Sequence, residues 1–173
     1  MSLVDIIRIL AIGLSIVVVL VGAVLLFPGS SRWFEQAFDV GALPDIDFQS
    51  LQRVDKPNDY LVCPDGLCQA ARADETANVY DVPMTKLRAI VLEYVDSDPN
   101  IDTYRLDLNR QQFDFVERSR SMRFPDVVTV RFFDVDGQRS TLAIYSRSIY
   151  GYSDLGANQR LVKRWLSIIE PSG

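Results

Sequence analysis

The chain has 173 residues, 48% of them hydrophobic, and a formal net charge of −5 at pH 7. It contains no histidine, which excludes serine–histidine and cysteine–histidine nucleophile pairs and most catalytic zinc sites. The acidic balance argues against nucleic acid as a partner, because phosphate binding requires a positive surface. We predict no cofactor and no bound metal.

The N-terminus contains a long apolar segment, Ile9 to Phe27, without a charged residue. At about 1.5 Å per residue, a helix of this length just spans a bilayer core of roughly 30 Å. The segment ends at Pro28 and Gly29 without the small-residue cleavage site of a signal peptide. The pattern predicts an uncleaved transmembrane anchor, residues 1–28.

The flanking charges barely decide the orientation of this anchor, because Arg8 before it and Arg32 after it nearly balance. The position of the anchor in the chain is therefore the better guide. Only a short tail precedes the segment and a whole domain follows it. This asymmetry is typical of a signal anchor. We therefore predict a single-pass protein of the cell membrane, whose bulk domain is periplasmic or otherwise extracytoplasmic.

Residues 29–44 form a predicted juxtamembrane linker. Its stretch "SSRWFEQAF" places Trp33, Phe34 and Phe38 where aromatic rings settle at the level of the lipid headgroups. The remaining residues, 45–173, have the length of a single globular domain. Between Gly41 and Asp59 the chain is rich in proline, aspartate and asparagine, which predicts an extended arm along that domain.

The two cysteines, Cys63 and Cys68, lie in the turn-forming sequence "CPDGLC". A disulfide between them in an oxidising compartment would contribute roughly 2 kcal/mol by the loop-entropy model. Two unbonded thiols are the alternative. Redox or metal chemistry is disfavoured, since the spacing is not that of a thioredoxin-like pair.

The rest of the domain predicts a strand, a helix, four strands and a last helix. A short strand covers Val79 to Val82, and Pro83 then starts a helix at its favoured first position. Apolar residues at helical spacing follow at Leu87, Ile90, Val91 and Tyr94. The four strand patterns are Asp102 to Leu108, Gln112 to Ser119, Val127 to Asp134 and Arg139 to Ser148, with Asp136 and Gly137 as a hairpin turn, and the last helix has its apolar stripe at Leu161, Val162, Trp165, Leu166, Ile168 and Ile169.

This order of elements predicts an α+β fold: a two-layer sandwich in which an antiparallel sheet of four to five strands has two helices on one face. Alternation places apolar residues towards the helices, namely Leu106, Leu108, Phe113, Phe115, Val128, Val130, Phe132, Leu142 and Ile144. The opposite face receives Arg105, Arg118, Arg120, Arg131 and Arg147, with Asp107, Asp114, Val116, Phe133 and Tyr145 among them. These arginines suit an anionic ligand, or they pair with aspartates on a solvated sheet.

A polar stretch, "YSRSIYGYSDLGANQR" at residues 145–160, joins the last strand to the last helix. It is either a ligand site or the capping chemistry of a strand-to-helix corner. Capping suits Ser153 or Asp154. The candidate binding residues in the stretch are Ser146, Arg147, Ser148, Tyr150, Tyr152, Asp154, Asn158 and Arg160, to which the sheet adds Arg118, Arg120 and Arg131.

The segments "KPNDYLVCPDGLC", "FDFVERS", "RFPDVVTVRF" and "STLAIYSRSIYGYSDLGANQR", with the closing helix, resemble the bacterial domain-of-unknown-function family 1499. The resemblance covers about Phe48 to Leu166 and is most specific in the last of these segments. It implies a bacterial envelope domain of the predicted fold and assigns no activity.

Three functions therefore remain open. The favoured one is a membrane-anchored binding module for an anionic small molecule, a lipid headgroup or an envelope protein. A histidine-free hydrolase or transferase is the second, with Asp154 or Glu117 as base and Ser146 or Ser148 as nucleophile; it requires a serine within reach of a carboxylate in a concave pocket. The third is an envelope scaffold, which requires an exposed apolar patch.

Overall fold

The computed structural model describes residues 2–26, 37–53, 55–120 and 122–169. The chain divides into two compact units, Met1–Asp39 and Val40–Gly173. The first contains helix α1, Leu3–Leu26. Trp33 and Phe34, the aromatic residues predicted at the headgroup level, lie outside the described residues, as do Pro28 and Gly29.

Helix α1 is long and apolar enough to cross a membrane. Its Leu3–Ala23 part has a mean hydropathy of 2.7, and none of it is buried inside the protein's core. Among the described residues it is the one helix with this character. Its length and composition fit a membrane anchor or a signal sequence.

The second unit is a seven-stranded sheet with two helices. The strands are β1 (Asp59–Cys63), β2 (Glu75–Thr76), β3 (Val79–Tyr80), β4 (Ile101–Asp107), β5 (Gln112–Arg118), β6 (Pro125–Asp134) and β7 (Ser140–Ser148), and the helices are α2 (Met84–Ser97) and α3 (Ala157–Ser167). The sheet order is β2-β1-β7-β6-β5-β4, and β3 also pairs with β7. All pairs are antiparallel except β1 with β2. The predicted α+β class is confirmed.

The predicted number of four to five strands is too low. Strand β1, Asp59–Cys63, is one of the strands that the sequence interpretation does not include. Its partner is β7, far along the chain: Asp59 pairs with Arg147 and Val62 with Ile144. A local pattern cannot reveal a pairing between such distant residues.

Helices α2 and α3 pack on the same face of the sheet, as predicted. The core they share includes Leu87, Val91 and Val95 of α2, Leu161, Val162 and Trp165 of α3, and Phe113, Phe115, Val128, Val130, Phe132, Leu142 and Ile144 of the sheet. The prediction is wrong for Leu106 and Leu108, whose exposures are 48% and 61%. Strand β4 is the edge strand and shifts register between Thr103 and Arg105, so its side chains have a neighbouring strand on one side.

The opposite face is covered by residues 40–53, called the arm from here on. Ile46, Phe48 and Leu51 of the arm form a second buried cluster with Leu61, Cys63, Ala71, Ala143 and Tyr145. Cys63 is bonded to Cys68, with Cα atoms 6.3 Å apart. The arm therefore separates most of this sheet face from solvent.

Candidate functional site

Polar residues on the arm side of the sheet form a connected network. Asp114, which is buried, accepts hydrogen bonds from Arg105 Nε at 2.7 Å and from Thr129 Oγ1 at 2.6 Å. Arg147 Nη1 donates to Thr129 Oγ1 at 3.1 Å. These contacts connect four neighbouring strands, β4 to β7. The residues share one face of the sheet because, along each strand, they alternate with the apolar residues that face the helices.

The same network continues towards β1. Tyr145 donates its hydroxyl hydrogen to Asp59 at 2.8 Å, and Arg53 donates to the same carboxylate at 2.5 Å. The guanidinium of Arg147 lies 5.3 Å from the centroid of the Tyr145 ring. Burial lowers the pKa of Arg147 below its ordinary value. We call these seven residues, Arg53, Asp59, Arg105, Asp114, Thr129, Tyr145 and Arg147, the arm-side network.

The strand-to-helix corner centres on Asn158, which is fully buried at the start of α3. Its Oδ1 accepts a hydrogen bond from Ser146 Oγ. Its Nδ2 donates to the backbone oxygen of Asn58 at 2.9 Å, to Ser148 Oγ at 2.9 Å and to Asp154 Oδ2 at 2.8 Å. One amide thus joins the segment before β1, the end of β7 and the start of α3.

Asp154 provides the capping predicted for this corner. Its carboxylate accepts the backbone N–H of Gly156 and of Asn158, each at 2.8 Å. Burial alone would raise the pKa of Asp154, but these hydrogen bonds and the one from the Asn158 side chain hold it below its ordinary value. The carboxylate is therefore charged and directed at the first N–H groups of the helix.

A cleft of about 280 Å³ lies beside the corner, between the ends of β5 and β6 and helix α3. We call it the arginine cleft. It is lined by Asp98, Asn100, Glu117, Arg118, Ser119, Arg120, Asp126, Ala157, Arg160, Leu161 and Arg164. The sheet register sets its floor, because Glu117 pairs with Asp126 across β5 and β6, and Asp126 pairs with Ser148 across β6 and β7.

The two carboxylates of this floor both have partners. Glu117 accepts a hydrogen bond from Trp165 Nε1 at 2.8 Å and forms an ion pair with Arg164. Asp126 accepts one from Ser148 Oγ at 2.5 Å. Burial raises the pKa of both carboxyls, and in Asp126 the nearby charges of Asp154 and Glu117 add to the effect. Both carboxyls are therefore weaker acids than exposed carboxyls of the same type.

The arginines of the cleft are held at its rim from different elements. Arg120 follows β5 and is exposed. Arg160 Nη1 donates to the backbone oxygen of Leu155 at 3.0 Å. Arg118 Nη1 donates to the backbone oxygen of Arg123 at 3.3 Å. Guanidinium groups gathered in this way present planar hydrogen-bond donors to one volume.

A second hollow of about 340 Å³ adjoins the cleft. We call it the aromatic hollow. It is lined by Ser119, Phe124, Asp126, Ser148, Tyr150, Gly151, Ser153, Asp154 and Ala157. Ser119, Asp126 and Ala157 line both spaces, so the cleft and the hollow have a common wall.

The structure divides the predicted binding residues among four places. Arg118, Arg120 and Arg160 line the cleft, and Ser148, Tyr150 and Asp154 line the hollow. Ser146 and Asn158 are buried inside the corner, and Tyr152 is exposed next to it. Arg147 belongs to the arm-side network, and Arg131 lies 5.2 Å from the Phe133 ring on that same face.

The sequence interpretation missed Asp126, the residue common to the cleft, the hollow and the corner. A signal for it was present. Asp126 has the same parity along its strand as Val128 and Val130, which face the helices. A carboxylate at a core-facing position of a strand end is unusual enough to mark a candidate site.

The comparison with protein families covers this whole region. A family model described as a protein of unknown function, DUF1499, matches residues 47–169. The chain belongs to DUF1499. The match confirms the resemblance seen in the sequence. The DUF1499 region contains the sheet, α2 and α3, whereas α1 precedes it. No curated protein matches the chain.

Proposed function

We propose that this DUF1499 chain is a membrane-anchored envelope protein whose domain lies outside the cytoplasm and binds an anionic ligand in the arginine cleft. The apolar helix α1 supports the anchor. The Cys63–Cys68 bond supports the compartment, because disulfides persist in oxidising environments.

The observation that carries the ligand proposal is the composition of the cleft. Four arginines line it, at positions 118, 120, 160 and 164. Two of the carboxylates there, Glu117 and Asp126, have protein partners and raised pKa values. Arginine remains charged under all these conditions, and Arg120 is exposed in the cleft, so an incoming phosphate or carboxylate meets at least one guanidinium that is open to solvent.

The test uses the full chain in nanodiscs of zwitterionic lipid, titrated with inorganic phosphate in a calorimeter. Arg120→Ala should weaken binding by about tenfold or more, because a hydrogen bond to a charged group contributes about 1.5–3 kcal/mol. Arg139→Ala is the matched control, since Arg139 is half-exposed in the β6–β7 turn at the other end of the sheet, where it pairs with Asp136. No saturable binding, or equal effects of the two substitutions, would reject the anion site.

The compartment has a separate test. Alkaline phosphatase fused after Gly173 should be active in cells, since this reporter requires an oxidising compartment. Fluorescence from a reporter that folds only in the cytoplasm would instead contradict the proposed topology.

A hydrolase is the second candidate, and one observation favours it. Ser148 Oγ lies 2.5 Å from Asp126 Oδ1 in the wall of the hollow, which places a serine beside a carboxylate of raised pKa. Ser148 Oγ also accepts a hydrogen bond from Asn158, so the corner already holds this hydroxyl. Covalent labelling of Ser148 by a fluorophosphonate, absent in Ser148→Ala, would establish the enzyme; an unlabelled wild-type chain would reject it.

A further inference from the structure

Resting on the anion site proposed above, we infer that the ligand is an anionic amphiphile, with its charged group in the arginine cleft and its apolar part in the aromatic hollow. The two spaces are adjacent, since Ser119, Asp126 and Ala157 line both of them. Of these three residues, Ala157 has the smallest side chain. A ligand that occupies both spaces would therefore lie across these shared residues.

The hollow differs from the cleft in the side chains it presents. Phe124 and Tyr150 line it and retain exposures of 38% and 40%. Gly151 adjoins them with φ 91°, a conformation that favours glycine, so the backbone itself forms part of the surface. The hollow is also lined by the carboxylates of Asp126 and Asp154. These negative charges disfavour a second anionic group there, whereas the aromatic rings suit an alkyl chain or a ring.

The segment that borders the hollow carries further apolar surface. Leu155 is 87% exposed and Tyr152 is 70% exposed. Leu155 also has φ 53°, in the left-handed region that leucine rarely adopts. A leucine that is exposed and held in this backbone conformation raises the free energy of the folded domain. Strained residues of this kind are concentrated at ligand sites. A simple anion would use the arginines and leave this apolar border without a role.

The experiment is a chain-length series on the full chain in zwitterionic nanodiscs. The probes are inorganic phosphate and methyl, butyl and hexyl phosphate, kept below micelle formation, with empty discs titrated to subtract partitioning into lipid. We expect affinity to rise by about three- to fourfold for each methylene that enters the hollow. The alternative result, an affinity independent of chain length while inorganic phosphate still binds, overturns the amphiphile and leaves the anion site intact.

Variants separate the two parts of the ligand. Phe124→Ser and Tyr150→Ser should each flatten the dependence on chain length without changing the affinity for inorganic phosphate. Arg120→Ala should weaken every member of the series by the same factor. Leu108→Ser is the control, because Leu108 is an exposed apolar residue in the turn between β4 and β5, remote from the hollow. An equal loss of chain-length dependence in Leu108→Ser would overturn the inference.

The remaining outcomes are also distinct. If no probe binds, the anion site fails and the amphiphile fails with it. If heats match those of empty discs, the alkyl phosphates only partition into lipid, which likewise overturns the inference. Repeating the hexyl phosphate titration in discs with anionic lipid identifies the source: competition supports an amphiphile drawn from the bilayer, and unchanged affinity supports one taken from solution.

Discussion

The arm-side network and the arginine cleft contain the same residue types on opposite faces of one sheet, yet they differ in what covers them. In the network, Asp114 is buried and bonded to Arg105, while Asp59 is bonded to Arg53. In the cleft, Arg120 is exposed, although two carboxylates lie near it. The two arginine clusters thus differ in burial, because the arm covers the first and leaves the second exposed.

The physical reason is the cost of taking charge out of water. A buried guanidinium requires a partner, because uncompensated burial costs several kcal/mol. The network meets this cost for Arg53 and Arg105 with carboxylate pairs. Arg147 instead has the Thr129 hydroxyl and the Tyr145 ring as partners. In the cleft, by contrast, Arg120 is exposed to solvent, and the proposed anion site depends on this exposure.

Asp114→Ala should have the largest effect in the comparison. It removes the acceptor of both Arg105 and Thr129, leaving a partly buried cation without its nearest counterion. We expect the free energy of unfolding in urea to fall by about 3 kcal/mol. Asp102→Ala, at an exposed aspartate of β4, should change it by less than about 0.5 kcal/mol. Equal stabilities of the two variants would contradict the structural role of the network.

Arg147→Ala should come next, with a loss of about 2 kcal/mol from the hydrogen bond to Thr129, the contact with Tyr145 and the packing of the side chain. Phosphate affinity should stay unchanged. The pair Arg147→Ala and Arg120→Ala sharpens the contrast: the first should affect melting and not binding, and the second should affect binding and not melting. The reverse pattern would exchange the roles of the two surfaces.

Asp154→Ala should destabilise the domain by about 1 kcal/mol, the usual value of a helix cap. The pKa of Asp154 is lowered in the folded state, so its contribution is present above the ordinary value of 3.8 and is lost as the pH falls. Urea unfolding near pH 7 and near pH 3 measures this: the difference between wild type and variant should shrink at the lower pH. A constant difference would show that packing, not the charge, is responsible.

Asp126→Asn should give the smallest change in the free energy of unfolding. Unlike the other substitutions, it should raise this free energy. The pKa of Asp126 is raised by burial, so between 3.8 and that raised pKa the folded domain retains a proton that the unfolded chain releases. Stability from this group therefore decreases as the pH rises through that window. The variant, which does not titrate, should melt slightly higher than wild type near neutral pH and equally near pH 3.

The same substitution also tests the cleft, because removing a negative charge from its floor should tighten phosphate binding near neutral pH. Wild type should approach the affinity of Asp126→Asn as the pH is lowered through the raised pKa. An affinity that weakens in the variant would indicate that the carboxylate itself contacts the ligand.

Much of the helix-side layer follows from sequence. Leu87 and Val91 occur at helical spacing and are buried in α2. Pro83, predicted at the first helical position, is the N-cap one residue before it. Gly137 takes φ 81° in the predicted hairpin turn. These features are local, since each depends on residues within a few positions of one another.

The arm side and the site were less accessible to sequence because they depend on distant pairings. Alternation correctly put Arg105 and Arg147 on one face, but it could not show that Phe48 and Leu51 cover it. Likewise, Asp126 of β6 and Arg160 of α3 line the same cleft only in the folded domain.

The bond from Asn158 to the backbone of Asn58 joins positions 100 residues apart. The chain is synthesised from its N-terminus, so β1 emerges long before β7 and α3, its neighbours in the fold, exist. Contacts of such sequence separation slow folding, because a large loop must close before they form. Until β7 has emerged from the ribosome, the edge of β1 that β7 covers in the folded domain remains open, and an open strand edge can pair with other chains.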